Sequence, residues 1–299
     1  MAGVQSPEKL LRRAEIAVGR RLDGILQGER RGRRPGPGDD PSITRSYEPG
    51  DDVRWVDWPL SARTGAPMVR VPEIEPVLTA WVLVDRSLSM AFGSAVRTKS
   101  ETAVEVIAGI GAVLRRRGDR LGVVATRGGK LDMIRPPRGD RRALIEALSA
   151  TAMVQPDPQS GETNLAEAVT ALGRIARHRG LVIILSDFPD EPGLEQAIGV
   201  LSRRHDVIGV EVRDRRESEL PAVGPMRLQD LETGRQRVVD TADPKFRERF
   251  ESEVARAAAA RRSMLRRAGA RHVAIRPDRD WVMPLIGAFQ RPAPRRVPA

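Results

Sequence analysis

The spacing of apolar residues changes character along the chain. Within residues 7–26, Leu10, Leu11, Ala14, Ala17 and Val18 recur at helical intervals and predict one amphipathic helix. Residues 30–41, RRGRRPGPGDDP, break every periodicity and read as loop. Residues 45–75 form a polar-aromatic segment holding the single tyrosine, Tyr47, and two of the four tryptophans, Trp55 and Trp58.

From residue 76 on, strand and helix patterns alternate. VLTAWVLV at 77–84 is a continuous apolar run, as in a strand buried on both faces. Thr98-Lys99-Ser100-Glu101 is a capping box. It opens a helix to 117 that is apolar nearly all round and is therefore internal. Residues 120–126 and 130–135 predict a hairpin turned at Arg127-Gly128-Gly129. Helices at 141–151, 165–179 and 194–205 and strands at 181–185 and 207–212 follow. A hairpin at 226–240, a long helix at 244–268, a short strand at 272–275 and a helix at 281–289 complete the pattern. Such alternation predicts an α/β fold: an open, mostly parallel, doubly wound sheet with helices on both faces. Three regions result. They are a small N-terminal segment at 1–75, an α/β domain at 76–290 with the 226–240 hairpin as an insertion, and a disordered tail at 291–299.

Composition narrows the chemistry. The chain has no cysteine, which excludes disulfides, zinc–thiolate sites and thiol catalysis. Its three histidines, His178, His205 and His272, show no metal-ligand spacing. The longest apolar run, 106–114, is about half of the ~20 residues needed to span a bilayer. The first residues lack the apolar core of a signal peptide, so a cytoplasmic protein is expected. The formal net charge of +11 invites a nucleic-acid reading. Only four of the 51 basic residues are lysine, however, and Ala, Gly and Pro are abundant. G/C-rich coding therefore accounts for the arginines as well as function does. Aromatics at 3% are too few for base-stacking platforms, so nucleic acid is not the expected partner.

Three features fall at strand ends or helix starts. Asp85-Arg86-Ser87-Leu88-Ser89 follows the first strand of the alternating region. Gly161-Glu162-Thr163-Asn164-Leu165 precedes a helix, and Asp187 ends LVIILSD. Open α/β sheets bind ligands at the carboxyl ends of their strands, near the point where strand order reverses, and all three features can converge there. Their oxygen chemistry suits a hard cation, since Mg²⁺ takes oxygen ligands in near-octahedral geometry at ~2.1 Å. Ser87 and Ser89, two apart in an extended loop, can point the same way. Thr163 adds a third hydroxyl, and Asp85 and Asp187 supply charge directly or through water. A shell dominated by hydroxyls leaves the metal electron-poor, so its open position would attract a carboxylate from a protein partner. Taken singly, each feature is ordinary: satisfied loop hydroxyls, a helix N-cap at Thr163, a strand-end aspartate. Their joint occurrence carries the reading.

The triple resembles the metal-ion-dependent adhesion site of von Willebrand factor A domains. That resemblance implies that Asp85, Ser87, Ser89, Thr163 and Asp187 surround Mg²⁺ or Mn²⁺. A second segment, RSYEPGDDVRWVDW at 45–58 followed by Ser61-Ala62-Arg63, resembles the signature of the bacterial "domain of unknown function 58" family. Thr98-Lys99 and Glu101 behind the metal loop do so too. The likeness runs from about residue 32 to residue 289. Many members carry membrane-spanning helices before the signature, and no run here is apolar enough to match them. The family resemblance implies partnership with a MoxR-type AAA+ ATPase in the maturation of other complexes. A metal-dependent protein-binding adaptor is thus implied, not an enzyme.

Within the signature, Pro49-Gly50 fits the central positions of a type II turn. Arg54 can pair with Asp57 if the segment turns helically. Tyr47, Trp55 and Trp58 read first as a structural clasp packed on the main domain, with a partner-binding surface as the alternative. Two rival functions remain open. One is a Mg²⁺-dependent hydrolase, against which stands the absence of Gly-x-Ser-x-Gly, Walker A and His-Glu-x-x-His sequences. GSAVRTKS at 93–100 resembles a phosphate loop but lacks the second glycine before its lysine. The other rival is a binder of nucleic acid or anionic surfaces through the arginines of residues 30–34.

Overall fold

The computed structural model describes residues 6–9, 11–16, 42–72, 77–93, 97–153, 164–229 and 236–290. The chain divides into two units, Arg20–Val77 and Met1–Gly19 with Leu78–Ala299.

In the smaller unit, β1 (Ser42–Ser46) pairs antiparallel with β2 (Met68–Pro72). A 3-10 turn at Val53–Trp55 and helix α1 (Trp58–Thr64) lie between them in sequence. The Asp51 N–H donates to Glu48 O at 3.0 Å with Gly50 at φ 112°, the left-handed position that a type II turn reserves for glycine. The Asp57 carboxylate accepts the Leu60 N–H to cap α1, and Gly65 closes the helix in left-handed conformation. Arg54 pairs with Asp52, not with Asp57 as the helical spacing suggested. The 3-10 turn folds its guanidinium back, and Asp57 takes Arg70 at 2.6 Å. Trp55 is 51% and Trp58 69% exposed. Polar ties hold the unit instead. Arg45 grips Asp51 through both nitrogens, and the Ser61 hydroxyl joins Asp57 O to the Met68 N–H.

In the larger unit, helical residues 7–9 and 11–16 bury Leu11 and Ala14, and Glu15 pairs with Arg115. The rest of the expected 7–26 helix, the arginines at 30–34 and the 291–299 tail lie outside the described residues. Strands β3 (Thr79–Asp85), β4 (Arg120–Arg127), β5 (Lys130–Arg138), β6 (Leu181–Ser186) and β7 (Asp206–Val212) alternate with helices. Next come the hairpin β8 (Pro225–Gln229) and β9 (Gln236–Asp240), then β10 (Arg271–Ile275). The main sheet runs β5-β4-β3-β6-β7-β10, with every pair parallel except the β4–β5 hairpin. Counted within the sheet alone this order is 3-2-1-4-5-6, the doubly wound arrangement.

The helices are α2 (Leu88–Ala91), α3 (Lys99–Arg116), α4 (Arg141–Met153), α5 (Leu165–Ile175), α6 (Leu194–Leu201), α7 (Pro244–Arg267) and α8 (Val282–Gln290). Alternate strand residues serve opposite faces. On one face Trp81, Leu83, Val182 and Ile184 pack with Leu172 of α5, Ile198 of α6 and Leu265 of α7. α3 contacts α4 and β4 and buries residues around its whole circumference, as its apolar sequence requires. No helix among the described residues is long and apolar enough to cross a membrane.

Gly180, before β6, faces Thr79, and a Cβ there would lie 2.1 Å from Thr79 O. Gly180→Ala should therefore force the two central strands apart at a cost of about 1–3 kcal/mol. Trp55→Ala, at an exposed position, should change stability by less than about 0.5 kcal/mol. Urea unfolding midpoints check both. An unchanged midpoint for Gly180→Ala, or a large loss for Trp55→Ala, would contradict this packing.

Candidate functional site

β3 and β6 are adjacent and parallel, and the sheet winds away from them in opposite directions. Their carboxyl ends therefore mark the point where such sheets bind ligands. Asp85 ends β3 and is 1% exposed. A carboxylate removed from water in this way needs fixed donors. The Ser87 N–H donates to Oδ1 at 2.9 Å, and the Ser186 hydroxyl donates to Oδ2 at 2.6 Å. Ser186 Oγ in turn accepts the Phe188 N–H at 3.0 Å. The first bond turns the chain sharply after β3, and Ser87 Oγ comes to lie 2.9 Å from Ser89 Oγ. Ser87 precedes α2 but makes no side-chain capping bond; its hydroxyl lies against Ser89 and also helps to hold the Asp85 carboxylate.

The start of α3 fixes this loop from behind. The Lys99 N–H donates to Phe92 O at 3.0 Å, and the Ser100 hydroxyl donates to Met90 O at 2.8 Å. Thr98 and Glu101 complete the capping box reciprocally. The Lys99 side chain runs inward, fully buried, and its ammonium bonds Asp187 at 2.9 Å and also Glu217. Asp187 follows β6. The next residue, Phe188, has φ 52° and is the one non-glycine with positive φ among the described residues. Complete burial of its ring holds this disfavoured backbone, which presents Asp187.

Electrostatics follow from burial. Loss of solvent, and then the nearby Asp187 charge, push the Asp85 carboxyl up to about 6. Burial on its own would lower Lys99, but Asp187 and Glu217 outweigh it and keep the ammonium above its ordinary value. The lysine is thus a permanent cation at this site.

Of the five expected site residues, the fold brings together Asp85, Ser87, Ser89 and Asp187, while Thr163 lies outside the described residues. The α5 cap comes from Asn164, which accepts the Glu167 N–H, and from Glu191, which accepts the N–H groups of Leu165 and Ala166 at 2.8 and 2.9 Å. Sequence reasoning missed Lys99, Ser186 and Glu217 as members of the site. One signal was available for Lys99, since it is one of only four lysines and sits within the capping box.

The donors fit a hard cation. Two neighbouring ligands of an octahedral Mg²⁺ stand about 2.9 Å apart, and this is the spacing of the two serine hydroxyls. Among the described residues no group of three or more His, Cys, Asp or Glu could hold a metal ion, so a cation here would rest on hydroxyls and not on a carboxylate cage. Both Asp85 oxygens already accept hydrogen bonds. Asp85 would therefore orient the ligands and supply charge.

A protein of Mycobacterium tuberculosis described as uncharacterized is 38% identical over 280 residues, which cover 92% of this chain and 86% of its own. Among solved structures, the conserved hypothetical protein BatB from Bacteroides thetaiotaomicron overlays with a TM-score of 0.44 at 16% identity, covering 71% of this chain and 96% of that one. The SpRpn10 VWA domain overlays with a TM-score of 0.39 at 12% identity, covering 75% of this chain and 100% of that one. A family model described as "Protein of unknown function DUF58" matches residues 43–260. With that match and a relative at 38% identity that covers 92% of this chain, the chain belongs to the DUF58 family.

Proposed function

We propose that this chain is a metal-dependent protein-binding module, an adaptor working with a MoxR-type AAA+ ATPase in the assembly or maturation of other proteins. The observation that carries this reading is the pair of serine hydroxyls 2.9 Å apart beside a buried carboxylate at the switch point of the sheet. Ser87 and Ser89 would hold Mg²⁺ or Mn²⁺ through neutral oxygens, with Thr163 as the third hydroxyl. The cation, when bound, supplies an open coordination position for a partner's carboxylate. Asp85 fixes the serine loop through the Ser87 N–H, and Lys99 offsets the charge of Asp187. Weak donation by hydroxyls leaves the cation's pull on an incoming carboxylate largely intact. Both Asp85 oxygens are engaged, and this favours binding over general-base chemistry.

The partner test is direct. Chelator should dissolve a complex between this chain and a MoxR-type ATPase, and excess Mg²⁺ should restore it. Ser87→Ala with Ser89→Ala should fold yet fail to bind. A complex that survives both treatments but dissolves in moderate salt would instead be held by surface arginines.

The raised carboxyl of Asp85 gives a pH signature. A carboxyl whose folded value exceeds its unfolded value stabilises the fold when protonated. That contribution is complete below about pH 4 and is lost as pH rises through about 6. Metal-free wild type should therefore lose stability relative to Asp85→Asn as pH rises through this window. At pH 7, Mg²⁺ should raise the melting temperature of wild type but not of the double serine variant. A wild type that tracks Asp85→Asn from pH 4 to 7, or an equal Mg²⁺ response in both proteins, would contradict the assignment.

A further inference from the structure

A groove of about 830 Å³ begins at Ser89 and Asp187 and runs between the 3-10 turn Arg215–Glu217, β8 and α7. Phe92, Phe188, Met226, Leu228, Phe250 and Val254 give it apolar walls. Its charges are unevenly matched. Glu211 on β7, 1% exposed, takes Arg213 at 2.6 Å and Arg261 at 2.7 Å, and His272 Nε2 lies 2.7 Å from its other oxygen. One carboxylate therefore serves two guanidiniums that line the groove. Arg213 Nη2 is buried there with no hydrogen-bond partner among the described residues. A buried donor left in this way calls for an acceptor. Arg216 and Arg227 are exposed on the lining, and neither guanidinium forms an ion pair among the described residues. The acidic residues of the lining are already engaged. Asp187 and Glu217 hold Lys99, and Asp214 accepts the Arg216 N–H at 2.9 Å.

An apolar trough with unmatched guanidiniums, open at one end onto a site for a carboxylate, has one chemical complement. We propose that this groove binds an acidic, amphipathic segment of a partner protein. Its leading carboxylate reaches the Ser87–Ser89 site. Its apolar side chains lie on Phe250 and Val254, and its further carboxylates meet Arg216 and Arg227. Apolar burial supplies affinity while the arginines set register and exclude basic segments. The leading contact rests on the metal-site reading, whereas the groove contacts stand without it.

Panning a random-peptide display library on the immobilised full chain in Mg²⁺ tests the proposal. The enriched peptides should carry Asp or Glu interspersed with apolar residues. They should bind about tenfold or more weakly to Arg216→Glu/Arg227→Glu. Val238→Asp, at an exposed position of the hairpin that does not line the groove, should bind as wild type. Both arginines are exposed, so the double variant should keep its fold, which circular dichroism checks. No enrichment, enrichment of basic peptides, or equal retention by the double variant overturns the proposal. Chelator separates the two readings. Binding lost to chelator but kept by the double variant leaves the metal site and overturns the groove. Binding lost by the double variant but indifferent to chelator leaves the groove and overturns the metal site.

Discussion

Burial of the Asp85 carboxylate at the end of the central strand imposes most of the surrounding structure. A charge taken out of water costs several kcal/mol unless fixed donors meet it. Its two donors come from different segments, the Ser87 N–H just beyond β3 and the Ser186 hydroxyl at the end of β6. Satisfying one side chain thus ties the two strands together where the sheet reverses. It also forces the chain to turn within two residues of β3, and that turn sets the serine hydroxyls side by side. Asp187 poses the same electrostatic problem nearer the surface. There a cation solves it, since Lys99 crosses from α3 to reach both Asp187 and Glu217. The helix that packs on the sheet and the loop that carries the hydroxyls are locked by one residue's backbone and side chain together.

The parts of this arrangement visible in sequence were those governed by local pattern. TAWVLVD and LVIILS are apolar without alternation, which suits only two-sided burial, and they are indeed the two central strands. The capping box at Thr98 and the apolar circumference of α3 were equally plain. What depended on tertiary partners was not visible. β1 and β2 carry no distinctive pattern and become strands by pairing with each other. β5 continues past the expected end at 135 to Arg138, through Pro136 and Pro137; as an edge strand it tolerates prolines that a central strand would not. α5 ends at Ile175 rather than 179, where the backbone leaves the helix to reach Gly180 and the start of β6.

The candidate site divides along the same line. Asp85, Ser87, Ser89 and Asp187 were legible because their spacing and strand-end positions belong to the local chain. Lys99 was not, since a lysine in a helix's first turn ordinarily points to solvent. Only the carboxylates of two distant segments make its burial favourable. Ser186 read as the tail of a strand, and its role depends on the strand beside it. Large aromatics read as core by default, yet Trp55 and Trp58 are exposed.

The central claim is that the Asp85-anchored loop forms a cation site from neutral hydroxyls. Crystals of the full chain grown with Mn²⁺ give the most direct measurement, an anomalous difference map. One strong peak bonded to both Ser87 Oγ and Ser89 Oγ is expected, with Lys99 still on Asp187. No peak at saturating Mn²⁺, or a peak chelated by Asp187 and Glu217 with Lys99 displaced, would contradict it.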